Sequence, residues 1–312
     1  MNGIYSAPNF LRVVELLLPE RLTWEGESYT IDEWRKKAVK QVEENRKQNK
    51  ITIFNRFTSA LLEGFRTRGK DYGPRISLMN KYIRYFPDVT KSKVQKILIE
   101  NNYSLKNRGL EVVLSTREIV EPPSFQWQQY FYEAEREYES GYGSDKFLKI
   151  RGVGRKVRDF ALSEFSICFC AIDSHLADVI RRTGLLLHGY GQPDFGTSAT
   201  ENYNFLQRLI VQFSKESGWS LDSSRGYSPK EIDAMFWFFG NEKGICKGKP
   251  ECFRCPIKNI CLTFQNWKGT PIKSKSEIKK ERQERHQQLK QYMKEHPEEV
   301  ERIKKKYGLY KV

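Results

Sequence analysis

The sequence predicts an all-α protein of two helical lobes, and three observations support that prediction. Apolar residues recur at helical spacing along most of the 312-residue chain. The strand-like runs between them are too short and too scattered to build a sheet. A chain of this length forms two cores of about 150 residues each more readily than one large core. We expect one lobe at residues 51–169, a second at residues 1–50 and 170–267, and a basic tail at residues 268–312.

The charge balance predicts an anionic partner. Lys and Arg outnumber Asp and Glu by 54 to 39, which gives a formal net charge of +15. A surplus of this size favours nucleic acid over a membrane surface. No apolar run approaches the roughly 20 residues that span a bilayer, and no basic region precedes a long apolar stretch at the N-terminus. We therefore expect a soluble, intracellular monomer without a signal peptide or membrane contact.

The lobe boundary follows from a contrast between two adjacent helical segments. Residues 31–50, IDEWRKKAVKQVEENRKQNK, form a charged amphipathic pattern, whereas residues 51–65, ITIFNRFTSALLEGF, are apolar nearly all round. The second pattern is typical of a helix buried in a bundle. This change places the boundary near residue 50.

Punctuating residues delimit the next helices of the first lobe. Thr90 precedes the helical run TKSKVQKILIENN, and a further helix begins near Leu105. Pro122-Pro123 ends that helix, and an aromatic-rich helix follows from Phe125. The inner face of the first of these helices is expected at Val94, Ile97 and Leu98.

A glycine hairpin interrupts the helical run FLKIRGVGRKVRDFALSEF at residues 147–165. Its two glycines permit a tight turn with positive φ and let a ligand approach the backbone. The helix that restarts after it presents free N–H groups and the positive end of its dipole to an anion. Helix-hairpin-helix motifs grip a DNA phosphate in this way, although ordinary helix-helix turns also use glycine. The expected DNA contacts are Arg151, Gly152, Val153, Gly154 and Arg155, with Arg158 beside them.

The helix after the hairpin carries a lysine, and the next helix begins at an aspartate. In AIDSHLADVIRRTG, Asp173 occupies the N-cap position and Gly184 ends the helix. Capping alone explains such an aspartate, but the antiparallel return of the preceding helix would bring Asp173 toward Lys156 and the hairpin groove. Alternatively, Asp159 forms a plain surface salt bridge with Lys156. The expected inner faces of the two helices are Val157, Phe160, Ala161, Phe165 and Cys168, and Leu176, Val179, Ile180 and Thr183.

Four of the six cysteines lie together in CKGKPECFRCPIKNIC, at Cys246, Cys252, Cys255 and Cys261. In a chain without a secretory signal, this crowding favours metal ligation over disulfides. The spacing C-x5-C-x2-C-x5-C suits tetrahedral zinc and a [4Fe-4S] cluster about equally. The other two, Cys168 and Cys170, are interpreted as small apolar core residues.

Basic residues accompany the cysteines and fill the tail. Lys247, Lys249 and Arg254 are candidate phosphate contacts, or else solvated charges. From residue 268 onward, Lys and Arg outnumber Asp and Glu about two to one. The tail is therefore either a charged solvated helix or an arm that lies on phosphates.

The motifs FLKIRGVGRKVRDFA, AIDSHLADVIRRTG and CKGKPECFRCPIKNIC, in this order, resemble the helix-hairpin-helix DNA glycosylase superfamily. The resemblance is to its endonuclease III-like branch with a C-terminal iron-sulfur loop. It covers most of residues 147–261, extends to residues 51–146 in helical pattern only, and excludes the first 50 residues and the tail.

The resemblance implies roles for individual residues. Lys156 matches the catalytic lysine of bifunctional glycosylases, and Asp173 matches the aspartate essential to the superfamily. Phe65 falls where the endonuclease III pattern has a glutamine that fills the gap left by the flipped base. The resemblance also favours a [4Fe-4S] cluster over zinc, although five residues here separate the first two cysteines where the family usually has six.

The implied activity is that of a bifunctional DNA glycosylase and abasic-site lyase on double-stranded DNA with a damaged base or an abasic site. Lys156 would attack C1′ of the deoxyribose and form a Schiff base, and β-elimination would then cleave the strand. An oxidised pyrimidine is the favoured target, while related branches take other lesions. A non-catalytic helix-hairpin-helix DNA-binding protein has no need of this lysine. An RNA-binding or tRNA-modifying protein with a zinc loop leaves the hairpin, lysine and aspartate without a role.

Overall fold

The computed structural model describes residues 9–65, 75–138, 145–185, 199–223 and 225–265, with isolated positions between 280 and 298. Helices dominate these ranges, which confirms the predicted all-α class. No helix in them is long and apolar enough to cross a membrane. The helices are α1 (Phe10–Leu17), α2 (Ile31–Arg46), α3 (Lys50–Gly64), α4 (Ile76–Tyr82), α5 (Lys91–Glu100), α6 (Lys106–Val120), α7 (Trp127–Glu137), α8 (Arg155–Leu162), α9 (Ser174–Thr183), α10 (Ala199–Glu216), α11 (Pro229–Gly240) and α12 (Leu262–Gln265). The predicted tail lies largely outside the described residues.

A small β-hairpin between α1 and α2 departs from the prediction that no sheet forms. Strand β1 (Arg21–Trp24) pairs antiparallel with β2 (Glu27–Thr30). Both residues of the turn, Glu25 and Gly26, have positive φ, as two-residue hairpin turns require. The hairpin packs on α11, where the Trp24 and Trp237 ring centroids lie 5.0 Å apart. The Glu-Gly pair between two short strand-like runs was the sequence signal for this hairpin.

Local capping signals set several helix boundaries. Thr90 accepts a hydrogen bond from the Lys93 backbone amide and begins α5, while Gly184 ends α9 with φ of +89°. The break between the charged and the apolar helix falls at residues 47–49, where the side chain of Asn49 caps α3. Helix α8 ends at Leu162, earlier than predicted, so Phe165 and Cys168 are buried in the turn beyond it.

Two clusters of buried apolar side chains form the interior. The first core is built mainly from the series of helices α3 through α8. The second core is built from α1, α2 and the series α9 through α11. The chain passes from the first core to the second between Phe169 and Cys170. Cys168 and Cys170 are both buried, as predicted, and burial raises the pKa of each thiol. The residue limits of the two lobes stay a prediction.

Candidate functional site

The glycine hairpin is a tight turn between a short 3-10 helix and α8. The 3-10 helix spans Lys146–Lys149, and the Val153 amide donates to the Ile150 carbonyl at 3.0 Å. Gly152 has φ of +84°, a conformation that a residue with a Cβ adopts only at a cost. Gly154 faces open space, where an added Cβ meets nothing within 4 Å. The backbone at Gly154 is therefore accessible to a ligand.

The N-terminus of α8 opens beside this turn without a side-chain cap. Gly154 is the N-cap residue, and its carbonyl accepts the Arg158 amide at 3.0 Å. The backbone amides of the first turn precede that bond, at the position where an α-helix supplies no acceptor of its own. Together with the helix dipole, these N–H groups favour an anion at this position.

Lys156 projects into solvent from the first turn of α8. Among the described residues, no carboxylate forms an ion pair with its amine. The alternative of a surface salt bridge with Asp159 is wrong, because Asp159 is completely buried. The Asp159 carboxylate accepts hydrogen bonds from Arg158 and from the Tyr203 hydroxyl, which donates to Oδ2 at 2.7 Å.

Arg158 is also placed differently from the prediction, since it is completely buried rather than beside the hairpin. Its guanidinium lies between two carboxylates: Nε donates to Asp159 Oδ1 at 2.8 Å, and Nη1 lies 3.6 Å from Asp145 Oδ2. Tyr130 donates its hydroxyl to Asp145 at 2.7 Å. Burial raises the pKa of both carboxyl groups, and the charge of Arg158 opposes that rise. This network ties α7 and α10 to α8 and to the turn before the hairpin.

The remaining hairpin residues differ in what they offer to DNA. Arg151 is exposed and Gly152 lies at the bend. Val153 is only 3% exposed and belongs to the first core, so its side chain anchors the turn. Arg155 is half-buried, and its Nη1 donates to the Asn204 side chain of α10 at 2.6 Å.

Phe65 lies beneath the hairpin and is 8% exposed. A Cβ added to Gly152 would lie 3.3 Å from its ring. The guanidinium of Arg108, which is exposed on the first turn of α6, lies 5.8 Å from the Phe65 ring centroid. A side chain that fills the gap left by a flipped base has to project into solvent, so Phe65 would have to leave this packing. Its wedge role stays a prediction, and Arg108 is a solvent-facing residue that the sequence did not single out.

Asp173 caps α9 as predicted. Its Oδ1 accepts the amides of His175 and Leu176 at 2.8 and 2.9 Å. Its Oδ2 accepts no hydrogen bond from a described residue. No hydrogen bond or ion pair joins Asp173 to Lys156 in the described part of the chain, so the predicted pairing across the groove stays a prediction.

A second carboxyl group, Asp233 of α11, is electrostatically coupled to Asp173 and was missed by sequence reasoning. Burial raises its pKa to about 7, and the negative charge of Asp173 contributes to the rise. The positive charge of Lys230 opposes this rise in pKa, since its Nζ lies 3.7 Å from Asp233 Oδ2. No local signal marks Asp233, because its burial depends on α11 packing against α9.

The four clustered cysteines line one apolar cavity with about 320 Å³ of space free of protein atoms, its solvent mouth included. Burial raises the pKa of Cys246 to about 11 and that of Cys255 to about 12. Thiols in such an environment lose their protons when a metal supplies compensating charge. No three His, Cys, Asp or Glu side chains of the described residues converge as ligands of a single metal ion. The donor set and the shared cavity fit a centre bound by four thiolates.

Arg182, near the end of α9, holds the cysteine loop in place. Its Nη1 donates to the backbone carbonyls of Cys246 and Lys247 at 2.9 and 2.6 Å. Its own carbonyl accepts the Thr263 hydroxyl at 2.7 Å. Helix α9 therefore carries Asp173 at one end and contacts the cysteine cavity at the other.

The three basic residues predicted on the cysteine loop do not share one environment. Lys247 and Arg254 both form ion pairs with Glu251. Lys249 is exposed. A phosphate at this loop would have to compete with Glu251 for two of the three cations.

Comparison with known proteins adds no family assignment. No family model matches the chain, and no curated protein matches it in sequence. The functional conclusion therefore depends on the motifs and on the geometry described above.

Proposed function

We propose that the protein is a bifunctional DNA glycosylase and abasic-site lyase of the helix-hairpin-helix, endonuclease III-like type. The observation that carries the proposal is the position of Lys156: an exposed amine without an ion-pair partner among the described residues, on the uncapped first turn of α8. A nucleophilic amine has to be accessible to the sugar, and the exposed position of Lys156 beside the hairpin meets that requirement.

In this proposal the hairpin binds a phosphate of the DNA backbone. A phosphate at the α8 N-terminus would accept backbone amides of the first turn, and the exposed Arg151 would add charge beside it. Arg108, close to Gly152, and Lys156, on the first turn of α8, add positive charge near the hairpin. Backbone contacts of this kind position DNA without reading its sequence, and the target base leaves the stack to reach the amine.

The chemistry follows from an amine placed beside the sugar. The Lys156 nitrogen attacks C1′, the bond from C1′ to the base breaks, and the base leaves with the bonding electrons and a proton. Loss of the amine proton and ring opening give a Schiff base, and abstraction of a C2′ proton expels the 3′ phosphate. Asp173 keeps Oδ2 available to stabilise positive charge on the sugar or to take the amine proton.

Cys246, Cys252, Cys255 and Cys261 would hold a [4Fe-4S] cluster. The four thiols line one cavity, and cysteine thiolates are the ligands that such a cluster takes. When bound, the cluster supplies a structural staple for the loop and a centre able to exchange one electron. The chain itself supplies Arg182, which fixes the loop to the end of α9.

Borohydride trapping tests the proposal. The full-length protein is incubated with duplexes that carry an abasic site, thymine glycol, 8-oxoguanine, uracil or a T·G mismatch, and covalent adducts are resolved on a denaturing gel. We expect an adduct on the abasic duplex that Lys156→Gln abolishes. The reactive duplexes then identify the lesion class.

Lys149→Gln is the matched control, because Lys149 is another exposed lysine three residues before the bend. It should retain trapping. An adduct that persists in Lys156→Gln would assign the nucleophile elsewhere. No adduct on any duplex would refute the lyase reaction and leave base release without cleavage, or DNA binding without catalysis, as the activity to test.

A further inference from the structure

A bend at residues 83–88 presents an exposed aromatic ring on a rigid backbone. Tyr85 is 71% exposed, the highest value among the exposed large hydrophobic side chains of the described residues. Its amide and that of Arg84 both donate to Asp88 Oδ2, at 3.2 and 3.0 Å. The Val89 amide donates to the Phe86 carbonyl at 2.9 Å, and the Val89 side chain is completely buried. The exposure of Tyr85 is therefore built into the fold.

Basic residues accompany Tyr85 and the neighbouring Tyr82. Arg84 precedes it in the bend and is exposed. Lys81 and Lys96 both lie with Nζ 4.9 Å from the centroid of the neighbouring Tyr82 ring, which joins α4 to α5. Two acids adjoin these residues: Asp88 forms an ion pair with Lys93, and Glu100 accepts the Tyr82 hydroxyl at 2.6 Å. We call residues 81–85 together with Lys96 the α4–α5 surface.

The bend that carries Tyr85 and the loop that leads to Arg108 lie at opposite ends of α5. The Arg75 amide donates to the Asn101 side chain, so the start of α4 meets the end of α5, the end nearer in sequence to Arg108. The bend at Tyr85 is at the opposite ends of both helices. At 1.5 Å per residue, the ten residues of α5 separate these ends by about 15 Å.

We propose that the α4–α5 surface binds single-stranded nucleic acid, with a base stacked on Tyr85 and phosphates beside Lys81, Arg84 and Lys96. Cations interleaved with an exposed aromatic ring are the elements that sequence-tolerant single-strand binding requires. A duplex keeps its bases stacked and offers Tyr85 only a backbone. Since the bend is ordered before binding, little conformational entropy is lost when a base docks.

Fluorescence anisotropy with a labelled oligothymidine tests the proposal. We expect Tyr85→Ala to weaken binding by about tenfold, in line with the loss of one base stack. Replacing Lys81, Arg84 and Lys96 by Gln together should lower the slope of log affinity against log salt by about 2. A blunt duplex of equal length should show no Tyr85 dependence.

Tyr132→Ala is the matched control. Tyr132 is also exposed, at 50%, but it lies on the acidic helix α7 and its hydroxyl accepts from Arg136. An equal loss of affinity in both tyrosine variants, or none in Tyr85→Ala, would overturn the proposal. The comparison is repeated in a Lys156→Gln chain. The same Tyr85 dependence there separates this surface from the lyase, so either proposal can fail without the other.

Discussion

Replacing Asp233 by Asn should make the stability of the protein depend less on pH between about pH 5 and pH 8. Burial raises the pKa of this carboxyl from 3.8 to about 7 in the folded protein. Between those two values the folded state retains a proton that the unfolded chain has released, so the free energy of unfolding falls as the pH rises. Because Asn cannot ionise, the free energy of unfolding of the variant does not fall with pH through this group.

The size of the effect follows from the two pKa values. One unit of difference is worth about 1.4 kcal/mol, so wild type should lose about 2.5 kcal/mol relative to Asp233→Asn between about pH 5 and pH 8. Asp145 and Asp159 also have raised pKa values, but they are present in both proteins and cancel in the comparison.

Urea unfolding at a series of pH values, followed by circular dichroism, measures the difference. The exposed Asp222 gives a control variant, Asp222→Asn, that removes one negative charge from the surface. A difference between wild type and Asp233→Asn that stays constant with pH would refute the reasoning. It would show that Lys230 holds Asp233 ionised in the fold.

Three further predictions concern other parts of the site. Gly152→Ala should lower the free energy of unfolding, measured in urea, by about 1–2 kcal/mol because φ is +84° at this position. Gly154→Ala should lower it by less, since Gly154 has φ of −89° and faces open space. Equal losses of stability in the two variants would contradict this prediction. Arg158→Met should lower the free energy of unfolding by about 3–5 kcal/mol, because two buried carboxyl groups lose their positively charged partner. Adding Asp159→Asn to this variant should recover part of the lost stability, and chemical denaturation measures both changes. Metal analysis should find about four irons per chain in the wild type and fewer in Cys255→Ser, and stoichiometric zinc would exclude the cluster.

The position of Arg158 changes how the hairpin is understood. A surface arginine beside a phosphate would add to DNA affinity, whereas a buried one fixes the helix that carries Lys156. Its partners come from α7, α10 and the turn before the hairpin. The network therefore anchors the helix that carries Lys156 and occupies the carboxylate of Asp159, so that Asp159 is not a partner of Lys156.

Local patterns in the sequence determined the helical class, most helix limits and the candidate residues. Some features depend only on groups within a few residues of one another and can therefore be identified from the sequence. Examples are the helix cap at Asp173, the helix end at Gly184 and the turn at Gly152. The four-cysteine loop is local in the same sense.

Only the tertiary structure decided which polar residues are buried and what they contact. Asp159 meets Tyr203 from 44 positions away, and Asp233 is buried because α11 packs on other helices. Phe65 and Arg108 reach the hairpin from two separate helices. Burial and pairing of this kind arise from contacts between distant segments. Helical periodicity reports which face of a helix turns inward, but it does not report which charged side chain will find a partner there.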